Sequence, residues 1–213
     1  LGVRYSNGRS YMTTREGESL NNLGNLGNEI IHIASDRRGS LWLSTADHGI
    51  LRLTGFLNDP SKWVCLSYDT SNGKLPSGAA IFVNCDKDGR IWAGLEGSGL
   101  CLYDEMTDSF HSVHQQYGLP GDMVNTMKQD SLGNFWLGTN QGLACLTLNG
   151  KDLVNMRIYT ESDGLPDNFF YPKSATYVGG RMYFGCSQGL VHFQPSANTL
   201  SNRDSGHSKY PYR

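Results

Sequence analysis

The sequence has no apolar run approaching the roughly 20 residues that cross a bilayer as a helix, so no helical membrane span is expected within it. It has no excess of basic charge. Eighteen Lys and Arg face 20 Asp and Glu, for a net charge of -2, and no basic stripe appears. That balance excludes phosphate-driven binding, and no nucleic acid partner is expected for this region. Cysteines are few and unpaired in pattern: Cys65, Cys85, Cys101, Cys145 and Cys186 are odd in number and lack CxxC spacing. Neither a zinc site nor a disulfide framework is indicated, and they read as small buried strand residues. Gly-x-Ser-x-Gly, His-Glu-x-x-His and a phosphate-cradling glycine loop are all missing. No catalytic residue, metal or cofactor is therefore expected. Leu1 to Tyr5 lack the charged start and apolar centre of a signal peptide. They look like the end of a repeat (compare Gly99 to Tyr103), so the chain is expected to start mid-protein, its targeting segment missing rather than absent.

What the sequence does have is one sentence written four times. Asp130-Ser-Leu-Gly-Asn-Phe-Trp136-Leu-Gly-Thr139, with Gly142 beyond, is spelled also from Asp36 to Thr45 and from Asp86 to Leu95. A looser copy runs from Gly180 to Cys186, where Tyr183 takes the Trp place. Trp42, Trp92, Trp136 and Tyr183 are spaced by 50, 44 and 47 residues, a period that means an array of all-β units. The 26 glycines and 11% aromatic residues suit many tight turns.

Each copy divides into four short strand-like runs, a to d. The Asp-x-x-Gly turn between a and b places an Asx-bonding Asp at its start and a residue tolerant of positive φ at its end. Connections from d to the next a are longer, and three carry a Leu-Pro step at Leu75-Pro76, Leu119-Pro120 and Leu165-Pro166. Four antiparallel strands repeated at this period predict an all-β fold, a β-propeller of four-stranded antiparallel blades. A β-sandwich would not repeat a whole sentence. The reading gives a partial propeller over 1–195, with about four to five blades in the chain. A partial blade covers 1–21, and blades follow at about 29–69, 79–114, 123–160 and 168–195. The stretch 196–213 has no core-forming run and reads as a disordered tail. Trp42, Trp92 and Trp136 read as packing between blades, whereas Trp63 is ambiguous.

The motif Asp-x-x-Gly-x-[Leu/Ile/Phe]-Trp-[Leu/Ala]-Gly-Thr-x-x-Gly-Leu resembles the two-component regulator propeller repeat. Tyr159 to Asn168 also look like that family's inter-blade signature, and Gly180 to Pro195 are similar to its last blade before a small β-sandwich domain. The resemblance runs from Leu1 to about Pro195. It departs at Ser44, which stands for Gly, and at Tyr177, which stands where the turn Asp would be. It implies the periplasmic sensor region of a Bacteroidetes hybrid two-component system. Such a region is tethered to the inner membrane and linked to a histidine kinase through segments outside this chain. Family propellers have seven blades, so the remainder of the propeller or a second copy of the chain is an expected partner. The implied ligand is a small molecule, commonly an oligosaccharide.

Loops b-to-c and d-to-a leave a propeller on one face, and function usually lives on such loops. The first set supplies Asp47, His48, Glu96, Asn140, Gln141 and Gln188, with Ser98 and Ser187. The second supplies Asp122, Asn168 and Tyr171, with Asn25, Asn28, Lys74, Ser77, Tyr117, Asp167 and Phe169. Amides and carboxylates bond sugar hydroxyls, and a ring stacks on the pyranose face. Two other classes stand beside this one: a protein-binding propeller scaffold, and an enzyme similar to the streptogramin lyases. The lyase would need a His/Glu cluster, for which His48 and Glu96 are the candidates. His111 and His114, three apart on one strand, point to opposite faces and make no metal pair. Asp86-Lys87-Asp88-Gly89 lacks the closing acid of a calcium loop and reads as a turn.

Overall fold

The computed structural model describes residues 2–4, 10–12, 29–55 and 64–195. Trp63, Asn25, Asn28 and the tail 196–213 lie outside the described residues. Every sheet is an antiparallel meander of consecutive strands. β1 (Gly2–Arg4) pairs with β2 (Ser10–Met12). β3 (Ile30–Ser35), β4 (Leu41–Thr45), β5 (Ile50–Thr54) and β6 (Val64–Tyr68) form the first four-stranded sheet. β7 (Ala80–Cys85), β8 (Ile91–Leu95), β9 (Gly99–Asp104) and β10 (Ser109–Ser112) form the second. β11 (Val124–Gln129), β12 (Phe135–Thr139), β13 (Leu143–Asn149) and β14 (Asp152–Tyr159) form the third. β15 (Phe170–Val178), β16 (Arg181–Cys186) and β17 (Gly189–Phe193) form a fourth sheet, which has three strands among the described residues. By contacts the chain divides into two compact units, Leu1–Ala93 with Tyr103–His111, and Gly94–Leu102 with Ser112–Arg213.

The first hairpins of the three four-stranded sheets owe their shape to one carboxylate each. Asp36 Oδ1 accepts the backbone N–H groups of Arg38 and Ser40 at 2.9 and 2.8 Å. Gly39, at φ 80°, then turns the chain back, a conformation that a Cβ disfavours. The other oxygen, Oδ2, accepts the indole N–H of Trp42 at 3.0 Å. Asp86 and Asp130 repeat this on Trp92 at 2.8 Å and Trp136 at 3.0 Å. The turn residue and the core residue are thus one fastening, closed within seven residues of chain. Each indole is 1% exposed. Burying such a ring removes roughly 200 Å² from water, worth about 5 kcal/mol as an upper estimate. Its one polar atom needs an acceptor, and the turn Asp supplies it.

The fourth sheet lacks both halves of that fastening. Tyr177 pairs with Met182 and Val178 with Arg181, enclosing Gly179 and Gly180 at φ 58° and 77°. Two consecutive positive-φ residues make the tight hairpin turn that needs no capping carboxylate. Tyr183 pairs with His192 as Trp136 pairs with Cys145, so the register is kept while the indole is lost. The Tyr177 hydroxyl donates instead to Ser131 Oγ, 2.8 Å away in the preceding turn.

In the first unit Trp42 packs against Tyr68, Tyr103 and Phe110, with ring centroids 5.5, 4.9 and 5.9 Å away. Both tyrosine hydroxyls donate to Asp108 Oδ1, at 2.8 and 2.7 Å, and Lys74 Nζ binds its Oδ2. Asp108 holds φ 48°, so this carboxylate is set in a left-handed turn. In the second unit Trp136 stacks on Tyr159 and touches Phe193, at 5.9 and 4.4 Å, within a core of Phe170, Met182, Phe184 and Val191. The Trp, as read from the sequence, is packing.

Candidate functional site

The connections that precede β7, β11 and β15 are built alike. Leu75, Leu119 and Leu165 donate their N–H groups to the carbonyls of Asp69, His114 and Thr160 at 3.2 Å each. One or two residues before each Leu, Gly73, Gly118 and Gly164 take φ of 71°, 67° and 97° and donate to Thr70, Gln115 and Glu161. The Leu-Pro step therefore closes a compact loop and presents the residues after the Pro. In the middle connection the chain forms one helical turn, α1 (His114–Tyr117), capped by Gly118 in the left-handed region. The sequence pattern predicts a strand running on to His114; it ends at Ser112.

Within the second unit several candidate residues are joined. Asn140 Nδ2 donates to Asp122 Oδ1 at 2.9 Å. Gln141 is exposed, its backbone N–H bound to Thr139 Oγ1 at 3.0 Å. Gly142, at φ 123°, donates to the Asn168 carbonyl at 2.7 Å, and the Asn168 side-chain oxygen accepts from Glu161 N at 2.9 Å. Ser187 N donates to the Phe169 carbonyl at 3.3 Å. The b-to-c loops of the third and fourth sheets are thereby bonded to the connection between those sheets. A shallow cleft of about 520 Å³ is lined by Glu161, Pro166, Asp167 and Gln188. Phe169 and Tyr171, 38% and 49% exposed, meet edge to face at 5.6 Å. Asn140 Oδ1 is buried without a hydrogen-bond partner. The amide is oriented by Asp122, since flipping it would set oxygen against carboxylate.

The other candidates stand on their own turns. Asp47 and His48 are exposed in the first unit, and His48 N donates to Thr45 Oγ1 at 3.0 Å. Glu96 is exposed in the second unit beside Ser98, whose carbonyl accepts from Ser112 Oγ at 2.8 Å. Two loop residues prove structural. Tyr117 is 2% exposed and donates to the Lys151 carbonyl at 2.5 Å, and Lys74 is bound to Asp108. Sequence reasoning credited both with a place on the open loops.

The carboxylates of the first unit are tuned by their donors. Burial alone would raise the Asp36 carboxyl, but hydrogen bonds from Trp42, Ser40 and Arg38 outweigh it and hold it below its ordinary value. Burial likewise opposes ionisation of Asp108, yet Lys74, Tyr103 and Tyr68 pull its pKa down to about 2. Burial pushes the Cys101 thiol up to about 12 and raises Cys145 as well, so neither is a nucleophile at neutral pH. His111 Nε2 lies 2.9 Å from Thr107 Oγ1 and 3.0 Å from Ser109 Oγ. Asp86 is engaged by its own turn, by Trp92 and by Arg90 Nε at 2.6 Å.

Residues 118–141, from the Gly of the Leu-Pro step through the Trp136 hairpin, match the two-component regulator propeller family. A histidine kinase, P4, of Formosa agariphila is 31% identical over 192 residues, which are 89% of this chain and 13% of that protein. The chain thus spans about an eighth of its curated relative's length. The extracellular domain of a hybrid two-component system from B. thetaiotaomicron superposes with a TM-score of 0.66 at 22% identity, over 85% of this chain and 26% of that one. A virginiamycin B lyase from Staphylococcus aureus gives 0.53 at 14% identity, over 92% of this chain and 60% of that one. At such identities the structural likeness shows the fold, which is the expected β-propeller of antiparallel blades.

Proposed function

We propose, for a chain built of two-component regulator propeller repeats, that it is the ligand-sensing part of a hybrid two-component sensor kinase. On this reading it is a non-catalytic segment, periplasmic, tethered through segments outside the chain, and it reports to a histidine kinase in the rest of the protein. Its ligand is an oligosaccharide. The rest of the propeller, or a second copy, completes the ring.

The observation that carries the reading is the bonded loop surface of the second unit. Asp122 and Asn140 hold one another and Asn168 is held by the backbone of Glu161 and Gly142, while Gln188, Asp167 and Glu161 line an open cleft. Amides and carboxylates suit hydroxyl-rich ligands, which donate and accept at once. Asn140 Oδ1 is a buried acceptor without a partner, a state that costs about 1–3 kcal/mol unless something donates to it. Phe169 and Tyr171 offer exposed rings for a sugar face. A ligand here shifts signalling only by its differential affinity for two arrangements of the sensor.

The test is a calorimetric panel of neutral and charged oligosaccharides against the whole sensor region. Combined Asn140→Ala, Asp167→Ala and Gln188→Ala should weaken the best ligand at least tenfold. An affinity unchanged within twofold would sink the reading. Pull-down of a stoichiometric protein partner with no saturable glycan would favour the scaffold reading instead.

A further inference from the structure

We infer that His114 is a positioning residue for the loop surface, acting through the Gly121 carbonyl on the Asp122–Asn140 pair. The inference rests on the ligand reading only for what the pair binds; how the pair is held stands on geometry. The ring is buried, at 7% exposed. Its Nε2 is 2.7 Å from the Gly121 carbonyl, and its Nδ1 is 3.4 Å from Leu100 N. A carbonyl only accepts and an amide N–H only donates, so the proton sits on Nε2 and Nδ1 is the acceptor. One neutral tautomer satisfies both partners.

The ring is confined from both ends. A Cβ on Gly99 would fall 2.2 Å from Nδ1, so no side chain fits there, and φ of 61° disfavours one in any case. At the other end a Cβ on Gly121 would fall 2.1 Å from Asn140 Oδ1. Contacts therefore run from Gly99 through the imidazole to Gly121 and on to Asn140, which binds Asp122.

The two equivalent positions make the contrast. Asp69 and Thr160 open the other connections, and their side chains bond locally: Asp69 to Ser71 and Asn72, Thr160 to Asp163. His114 instead bridges β9 to the far end of its connection, seven residues on. The residue that opens this loop thereby sets where the loop delivers Asp122.

Two substitutions divide the ring's roles. His114→Gln supplies an amide N–H near the Nε2 position but leaves Leu100 without its acceptor. His114→Asn supplies an oxygen near Nδ1 but does not reach Gly121. By NMR on the full chain, His114→Gln should speed Leu100 amide exchange about tenfold, the loss of one ordinary hydrogen bond. It should leave the Asn140 side-chain amide resonances in place. His114→Asn should do the reverse. In the wild type, ring nitrogen shifts should report the Nε2–H tautomer. An Nδ1–H tautomer overturns the inference, and so does a folded pair of variants that move Asn140 alike or not at all. A wild type that binds no glycan defeats the ligand reading and leaves these resonances as the measure of the His114 role.

Discussion

The first three hairpins and the fourth solve the same problem differently. In each of the first three, an Asp satisfies two turn amides with one oxygen and an indole with the other. In the fourth, two glycines make the turn, and Tyr183, half-buried, fills the Trp position. The Asp and the Trp are lost together. A Trp without the carboxylate would bury an unpaired N–H, and a carboxylate without the Trp would bury an oxygen with one donor fewer. The difference teaches that the repeat's unit of substitution is the pair.

The comparison breaks most sharply at the ring. Trp136→Ala should cost about 3–5 kcal/mol in urea denaturation, through the cavity it leaves, whereas Tyr183→Ala should cost about 1 kcal/mol. Equal costs would refute the contrast. Next comes the carboxylate. Asp130→Ala strands the Leu132, Asn134 and Trp136 donors and should cost about 3 kcal/mol, against under about 1 kcal/mol for Tyr177→Ala. A double-mutant cycle of Asp130→Ala with Trp136→Phe should return a coupling of about 1–2 kcal/mol. Additive losses would mean that the two residues are not one unit.

Smaller effects sharpen the turns themselves. Gly133→Ala and Gly179→Ala both place a Cβ at positive φ with no atom within 4 Å. Each should cost about 1 kcal/mol, from backbone strain alone. A much larger loss at Gly179 would show that the glycine turn carries what the carboxylate carries elsewhere. The smallest effect is with acid. Asp36 and Asp108 have native pKa values below their unfolded ones, so their contribution is complete above about pH 4. It fades as pH falls toward the native values, about 2 for Asp108. Asp108→Asn should flatten that acid limb, while hydrogen exchange in the β15–β16 hairpin, which has no turn carboxylate, should lag behind that of β3–β4.

Much of this was legible in the sequence. The Trp period, the Asp-x-x-Gly turns and the Leu-Pro steps each carry a local rule, and each appears as a hairpin or loop of the expected kind. What was not legible is contact across the chain. The Asp-x-x-Gly pattern gives the turn Asp one task, with backbone; its second oxygen reaches Trp six residues on, and the joint change to Tyr177 and Tyr183 is the available signal. Lys74 and Asp108 lie 34 residues apart, and no local pattern marks their bond. His114 looked like the end of a strand, because nothing in His-Gln-Gln-Tyr announces one helical turn. For the loop residues the sequence supplied the list, and geometry selected the joined set around Asn140.

The fastening of Asp to Trp also bears on how such a chain comes into being. A bond closed within seven residues needs little loop-closure entropy, so the anchor of each of the first three hairpins needs no neighbouring sheet to close. A gene segment of one period therefore encodes a hairpin already fitted with its own anchor. It can be copied, moved or dropped without redesigning the segments on either side.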